Sequence, residues 1–244
     1  MNNGRVIWLN QDDPPDTFPP VSMALIEPDG LLAAGGDLSS ERLLYAYQNG
    51  IFPWYDEGQP LLWWSPDPRC VFLPGDFHVS RKLQRELRYS SAELRVNTAF
   101  SEVIRECVKP RRSEQGTWIT PDMIEAYEIL HHQGWAHSIE VWESDKLVGG
   151  LYGLAIGQTF FGESMFSRVS NASKIALLFI ANHLESGAFQ LLDCQVVSAH
   201  LETLGARIIP RSNFVERLDS ACLPSNPFQG WPTEALPCSK LFNN

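Results

Sequence analysis

Two polar side chains near the end of a predicted strand are the first candidates for chemistry. Asp193 and Gln195 lie two residues apart in the segment 190–196, so both side chains are expected on one face of that strand. A glutamine amide is not a strong base, but its carbonyl oxygen can accept a hydrogen bond from an amine while a carboxylate fixes its orientation and balances positive charge. On spacing alone, a polar pair bonded to a neighbouring loop is the more common explanation.

Glu163 is the second candidate, because it follows the apolar residues Phe160 and Phe161 and then Gly162 in a predicted strand. A carboxylate among apolar strand residues must find a partner or change its protonation state. A functional carboxylate and a buried glutamate bonded to backbone are equally compatible with this pattern.

Positive charge is concentrated in one part of the chain. The formal net charge is −10, yet nine basic and four acidic residues between positions 81 and 112 leave a local excess of five positive charges. Arg81, Arg85 and Arg88 recur at helical spacing, with Lys82 beside them, so they share one face. Such a face can contact phosphates, and it can equally be solvated surface.

The elements that must position these residues are predicted from apolar periodicity and capping signals. Asp37 is the predicted N-cap of the first helix, and Thr120 is the predicted N-cap of the helix that begins at Pro121. Helices are expected over residues 38–48, 79–87, 99–108, 121–132, 171–185 and 213–218, with a short one near 200–204. Strands are expected over residues 138–142, 147–156, 159–164, 190–196 and 207–209. The first three strands form an antiparallel meander, and the helices and strands that follow predict an α+β fold with a mixed sheet.

Ser65-Pro66-Asp67-Pro68 is the predicted domain boundary, because paired prolines fix an extended connection. It separates a small N-terminal domain, residues 1–67, from a larger domain, residues 68–244.

Composition excludes several classes of protein. The chain has 244 residues and no apolar run near the roughly 20 residues that a membrane span requires, and its N-terminus lacks the features of a secretory signal, so a cytoplasmic protein with no membrane partner is expected. The five cysteines are scattered and the six histidines show no ligand spacing, so no metal and no other cofactor is expected. A monomer is the default expectation.

Several separated segments match one family. They are Gly50-Ile51-Phe52-Pro53-Trp54, Gly116-Thr117-Trp118-Ile119-Thr120, the stretch from Phe161 to Ser167, and Asp193-Cys194-Gln195, supported by Gly35-Gly36-Asp37-Leu38, Trp63-Trp64-Ser65-Pro66-Asp67-Pro68-Arg69 and His137-Ser138-Ile139-Glu140-Val141. Together they resemble the leucyl/phenylalanyl-tRNA–protein transferase family over most of the chain.

The resemblance implies an activity and a fold. Members of the family transfer leucine or phenylalanine, and less readily methionine, from tRNA to proteins that begin with arginine or lysine, which marks those proteins for degradation. The implied fold is a small N-terminal domain followed by a GNAT-like acyltransferase domain with a mixed, largely antiparallel sheet. The implied partners are aminoacyl-tRNA and the acceptor protein.

The resemblance also implies roles for individual residues. Asp193 and Gln195 are implied to be catalytic, and Glu163 to bind the amino group of the aminoacyl moiety. The tRNA's 3′-terminal adenosine is implied to contact Trp54 and Trp118, with Tyr47 and Tyr127 as lesser contributors. The aminoacyl side-chain pocket is expected to comprise Leu151, Phe160, Leu177, Ile180, Leu184 and Leu192, and the tRNA backbone to contact Arg81, Lys82, Arg85 and Arg88. The family pattern has phenylalanine where this chain has Ile180 and Leu184, and a basic residue where it has Tyr89.

Three other functions are compatible with parts of the sequence. A coenzyme-A-dependent N-acetyltransferase would share the implied fold, but its Gly-rich pyrophosphate turn corresponds here to residues 167–173, which contain no glycine. A peptidoglycan-type aminoacyl-tRNA transferase would need a pocket for a cell-wall precursor. A noncatalytic adaptor for basic N-termini would tolerate loss of Asp193 and Gln195.

Overall fold

Two β-sheets organise the chain, and the computed structural model describes residues 5–109 and 119–242. The N-terminal elements are, in chain order, β1 (Ile7–Leu9), β2 (Leu31–Gly35), α1 (Ser40–Gln48), β3 (Phe52–Pro53) and β4 (Leu62–Trp64). They form a four-stranded sheet in the order β1-β2-β4-β3, in which only β1 and β2 run parallel. β3 is an edge strand, as expected because Pro53 has no backbone N–H to donate to a neighbouring strand.

The larger sheet has eight strands in the order β11-β5-β10-β9-β8-β7-β6-β12. The elements that follow β4 are β5 (Arg69–Phe72), α2 (Arg81–Arg88), β6 (Glu93–Val96), α3 (Phe100–Val108), α4 (Pro121–His132), β7 (Ala136–Glu143), β8 (Lys146–Ile156), β9 (Thr159–Ser167), α5 (Ala172–Glu185), β10 (Leu191–Asp193), α6 (Ala199–Thr203), β11 (Arg207–Ile209), α7 (Arg211–Ala221) and β12 (Leu236–Pro237). Among these strands only β9 and β10 pair in parallel, and α5 makes the crossover between them. The predicted α+β fold, with a small N-terminal sheet and a mixed, largely antiparallel second sheet, is confirmed, whereas the boundary after residue 67 stays a prediction.

Local signals located the helices well. Thr120 caps α4 by accepting from the backbone N–H of Met123, and Pro121 occupies its first position, as predicted. The first helix begins two residues later than predicted, because Ser39 rather than Asp37 is its N-cap. The antiparallel meander of β7, β8 and β9 is confirmed.

Two hydrophobic cores lie on opposite faces of the large sheet. Alternation along β8 shows the division. Tyr152 and Leu154 pack with the N-terminal sheet, α1, α3 and α4, whereas Leu151 and Ala155 pack with α2, α5 and the C-terminal segment, residues 228–242. The candidate site lies where β9 and the segment that follows β10 face the edge strand β3 of the N-terminal sheet. None of the helices in the described part of the chain is long and apolar enough to cross a membrane.

A β-bulge interrupts the pairing of β8 with β9. Tyr152 pairs with Ser164 and Gly153 pairs with Gly162, so Glu163 is an extra residue without an opposite partner. A bulge of this kind redirects a side chain that regular alternation would place elsewhere. Gly153 permits it, because a Cβ atom there would lie 2.1 Å from the carbonyl oxygen of Phe161.

We therefore expect Gly153→Ala to destabilise the fold by about 1–3 kcal/mol, the range for forcing extra atoms into a packed interior. Gly162→Ala is the matched control on the neighbouring strand, because its Cβ would approach other atoms no closer than 3.6 Å. Urea unfolding measures both changes, and equal losses of free energy for the two variants would contradict the steric explanation.

Candidate active site

The carboxylate of Glu163 is partly buried at the bulge, and solvent reaches it through two cavities. Its Oε1 accepts a hydrogen bond from Gln195 Nε2 at 3.0 Å, and its Oε2 accepts one from the Tyr127 hydroxyl at 2.9 Å. The Tyr47 hydroxyl bonds in turn to that of Tyr127. Side chains donate to both carboxylate oxygens of Glu163, so this residue is not the buried glutamate bonded to backbone that the sequence also allowed.

The two tyrosines come from different helices and are fully buried. Tyr47 lies on α1 and Tyr127 on α4, so the N-terminal part of the chain and the larger sheet both contribute to the surroundings of Glu163. Burial raises the pKa of each hydroxyl well above its ordinary value, and the charge of Glu163 raises it further, so both remain protonated donors. Their role beside an adenosine remains a proposal.

Desolvation sets the acidity of Glu163. Burial raises its pKa to about 7, while hydrogen bonds from Tyr47 and Tyr127 and the positive charge of Arg69 oppose the rise and the negative charge of Asp193 adds to it. Since one pKa unit corresponds to about 1.4 kcal/mol, modest changes around this carboxylate switch its charge near neutral pH.

Gln195 reaches Glu163 from a turn, not from a strand. β10 ends at Asp193, and Gln195 has a left-handed backbone with φ +54°. The prediction that Asp193 and Gln195 share a strand face is therefore wrong. They are connected instead by a hydrogen bond of 3.0 Å from the Gln195 backbone N–H to Asp193 Oδ1. A left-handed conformation costs a residue with a Cβ roughly 1–2 kcal/mol, so such a turn needs support.

Arg69 is a polar member of this site that sequence reasoning left without a role, although it ends one of the motifs quoted above. Its Nε and Nη2 donate to the two carboxylate oxygens of Asp193 at 2.8 and 2.7 Å. Both side chains are completely buried. The only sequence signal was an arginine at the start of an apolar run, and that is compatible with either surface or interior.

Two adjoining cavities share Glu163, Cys194 and Gln195. The first, of about 190 Å³, is also lined by Phe52, Pro53, Trp54 and Val196. The second, of about 320 Å³, extends along apolar residues of β8, β9 and α5. A substrate that occupied both would therefore place its central atoms against the carboxylate and the amide.

The apolar cavity contains four of the six predicted pocket residues. Those four are Leu151, Phe160, Leu177 and Leu192. Ile180 and Leu184 do not line it, because α5 turns them into the buried core beyond it. The lining residues to which sequence reasoning gave no role are Gly162, Ser164, Met165, Cys194, Ser198, His200 and Leu201.

Of the two predicted adenosine-contacting tryptophans, Trp54 borders the first cavity. Its side chain is 39% exposed and packs against Trp64 with ring centroids 5.8 Å apart. An exposed indole beside a cavity is a surface on which a nucleobase can stack. Trp118 lies outside the described residues.

The predicted basic face is present on α2. Arg81, Lys82, Arg85 and Arg88 are exposed, whereas Leu83 and Leu87 on the opposite face are buried. A hydrogen bond from Asn171 to Glu86 connects α2 with the N-terminal end of α5. Met165 lines both the apolar cavity and a groove that reaches Asn171, the residue that contacts α2.

The turn before α5 differs from an anion-binding turn. Ser167 Oγ accepts a hydrogen bond from the backbone N–H of Ser173, and Asn171 has φ +68°. A side chain of the protein thus occupies one N–H group that a pyrophosphate would use. Within residues 5–109 and 119–242, no three His, Cys, Asp or Glu side chains are grouped so that they could hold a metal ion.

Comparison with known proteins gives a consistent result. A family model described as leucyl/phenylalanyl-tRNA protein transferase matches residues 71–219, and one described as the N-terminal domain of the same protein matches residues 36–67. The protein named leucyl/phenylalanyl-tRNA–protein transferase from Nitrosospira multiformis is 56% identical over 211 residues, covering 86% of this chain and 90% of that one. The protein of the same name from Stutzerimonas stutzeri is also 56% identical over 211 residues, covering 86% and 92%.

Solved structures give more distant matches. A ribosomal-protein-alanine N-acetyltransferase from Brucella melitensis biovar Abortus 2308 is 13% identical with a TM-score of 0.32, covering 42% of this chain and 78% of that chain. A GCN5-related N-acetyltransferase from Kribbella flavida is 12% identical with a TM-score of 0.36, covering 67% and 58%.

The surroundings of Glu163 predict a measurable titration. In carbon-13 NMR of protein labelled at the glutamate carboxyl groups, one signal is expected to titrate near pH 7 and to be absent from Glu163→Gln. Tyr127→Phe removes a donor to the ionised form, so it should raise that midpoint. Tyr45→Phe, on the same helix as Tyr47, serves as the control and should leave it unchanged. A midpoint below 5 in the unmodified protein would contradict the assigned effect of burial.

Proposed function

Since the chain belongs to the leucyl/phenylalanyl-tRNA–protein transferase family, we propose that its two cavities receive the 3′ end of an aminoacyl-tRNA and transfer leucine or phenylalanine, and less readily methionine, to the N-terminus of proteins that begin with arginine or lysine. The proposed product is a degradation signal, and the proposed location is the cytoplasm. The observation that carries the assignment is the meeting, at Glu163 and Gln195, of an apolar cavity and a smaller cavity bordered by Trp54.

The aminoacyl moiety is proposed to lie across the boundary of the cavities. Its side chain occupies the apolar cavity beside Phe160 and Leu177. The terminal adenosine of the tRNA lies in the smaller cavity against Trp54. The ionised carboxylate of Glu163 accepts hydrogen bonds from the substrate's ammonium group. Because this carboxylate has a pKa of about 7, binding of the aminoacyl moiety should improve as the pH rises through that value.

The reaction exchanges an ester for an amide. The neutral α-amine of the acceptor attacks the ester carbonyl carbon, the new C–N bond forms, and the bond to the ribose oxygen breaks as a proton from the amine passes to that oxygen. Gln195 Nε2 donates to Glu163, whereas Gln195 Oε1 has no hydrogen-bond partner among the described residues. This carbonyl oxygen is therefore free to accept a hydrogen bond from the amine. An N-terminal amine has a pKa near 7.7–8.0, so a neutral fraction exists without a strong base.

Positioning is then the main contribution of the protein. Holding an amine against an ester carbonyl can supply about 7–11 kcal/mol in the most favourable intramolecular reactions. Neither ATP nor a metal is required by the chemistry, because the ester already carries the necessary free energy. A coenzyme-A-dependent acetyltransferase is less well supported, because Ser167 caps the helix end where pyrophosphate would bind.

The experiment that tests the proposal mixes the protein with labelled phenylalanyl-tRNA and peptides that begin with Arg, Lys or Ala. Label is expected on the first two peptides only. Gln195→Ala should lower kcat by roughly 10²- to 10³-fold, the range for removing one preorganised hydrogen-bonding group from an active site, with a small change in KM. Gln190→Ala is the matched control, because Gln190 is exposed and bonds only to Gln158 at the surface.

Unchanged turnover by Gln195→Ala would contradict the assigned role. Transfer of an acetyl group from acetyl-coenzyme A, with no transfer from tRNA, would instead favour the acetyltransferase.

The exposed face of α2 is proposed to contact tRNA phosphates. Replacing Arg81 and Arg85 with Ala should weaken tRNA binding and reduce the slope of log K against log salt by about 0.7–0.9 for each phosphate that is no longer neutralised. Arg217→Ala, an exposed substitution on α7, is the control. Filter binding of charged tRNA at several salt concentrations measures the slope, and an unaltered slope in the double variant would contradict the proposed phosphate binding.

A further inference from the structure

Arg69 is held in the interior by more interactions than a structural ion pair needs. Its guanidinium donates twice to Asp193 and once, through Nη1, to the carbonyl oxygen of Gly50 at 3.1 Å. The guanidinium carbon also lies 4.9 Å from the ring centroid of Phe52 and 4.4 Å from that of Phe214. Arginine is charged at any accessible pH, and its planar fork fixes a carboxylate in one orientation.

Three protein N–H groups hold the carboxylate of Asp193. Oδ1 accepts from Arg69 Nε and from the Gln195 backbone N–H, and Oδ2 accepts from Arg69 Nη2. Its side chain is completely buried and lines neither of the two cavities. A carboxylate in this position has no path by which to take a proton from an amine bound in the cavities.

Asp193 instead supports the turn that follows it. The hydrogen bond to its Oδ1 holds Gln195 in the left-handed backbone conformation that directs its amide toward Glu163. An aspartate free to rotate would release that N–H group. The orientation of the Gln195 amide therefore depends on what fixes the carboxylate.

We propose that Arg69 is a positioning residue for aminoacyl transfer: it fixes the Asp193 carboxylate and thereby the left-handed turn that presents Gln195 Oε1 to the acceptor amine. The inference rests on the proposed function, since it assigns Gln195 to that reaction. Asp193 accordingly acts through geometry and not by taking a proton.

Phe52 extends this role to the wall of the first cavity. Its ring lies against the guanidinium and also lines the cavity beside Trp54. Gly50, which accepts from Arg69 Nη1, lies two residues earlier at the end of α1. One arginine thus connects the turn that bears Gln195 with the segment that bears the adenosine-contacting tryptophan.

The first test separates turnover from binding. Arg69→Met should lower kcat for transfer from phenylalanyl-tRNA by about 10²-fold, the effect of misplacing a reacting group by about 1 Å, while KM for the tRNA changes about two-fold or less. Arg69→Lys keeps the positive charge but loses the planar guanidinium that binds both carboxylate oxygens, so an intermediate kcat is expected. If Arg69→Met does not fold, Arg69→Lys takes its place in the experiment. Arg42→Met is the matched control, because Arg42 is equally buried and neither it nor its ion-pair partner Asp37 lines the two cavities.

Two further readouts distinguish positioning from general destabilisation. Arg69→Met combined with Asp193→Asn should lower kcat no more than the stronger single change, because both act through one turn. The acidic limb of the pH profile should move to higher pH in Arg69→Met and to lower pH in Asp193→Asn, because the charges of these residues act in opposite directions on Glu163. A loss of folded protein alone would not move the acidic limb in either variant.

Hydrogen exchange of the Gln195 backbone amide tests the geometry independently of activity. Protection should be lost in Arg69→Met and retained in Arg42→Met. An active wild-type protein whose Arg69→Met variant keeps its kcat, or keeps protection at Gln195, would overturn the inference. A wild-type protein that transfers nothing from aminoacyl-tRNA would instead overturn the proposed function, while the exchange result would still report whether Arg69 holds the turn.

Discussion

The buried ion pair between Arg69 and Asp193 is the constraint on which the site depends. Both candidate side chains that face the cavities leave the regular sheet, Glu163 at a bulge and Gln195 at a left-handed turn, and neither departure is favoured by the backbone alone. A buried ion pair contributes little net stability, but removing one partner leaves an uncompensated charge and costs about 3–5 kcal/mol. The pair is therefore better understood as fixing a geometry than as strengthening the fold, and the fold in return keeps water away from it.

A similar balance governs Glu163. Solvent-poor surroundings disfavour its charge, whereas two tyrosine donors and the nearby guanidinium favour it, so the carboxylate lies close to the point at which it changes protonation state. A fully exposed glutamate would remain charged but would bind an ammonium group only weakly, because water competes for both partners. A fully enclosed one would be neutral. The cavities that admit the substrate also supply the solvation that keeps the carboxylate usable near neutral pH.

Sequence reasoning succeeded where local signals decide structure and failed where pairing between distant strands decides it. Capping by Thr120 and Pro121 placed α4, and turn residues separated the strands of the meander. The two-residue periodicity of strands could not show that β10 ends at Asp193, because a bulge or turn breaks that period without a composition signal. The position of Arg69 at the start of an apolar run did not reveal its role either, since its partners lie 19 and 124 residues away along the chain.

The apolar cavity shows a further limit of periodicity, and it changes where the side-chain preference should be sought. Leu177 and Ile180 are one helical turn apart and both are buried, yet only Leu177 reaches the cavity. Ile180 and Leu184 can influence a bound side chain only by shifting the residues in front of them. Phe160 forms the wall directly, and the rings of Phe189 and Trp231 pack against it at 5.8 and 6.1 Å. Trp231 belongs to the C-terminal segment, which carries none of the family motifs, so this segment supports the surface that discriminates between leucine and phenylalanine in the proposed reaction. Each methylene group gained or lost at that surface is worth about 1–3 kcal/mol of discrimination.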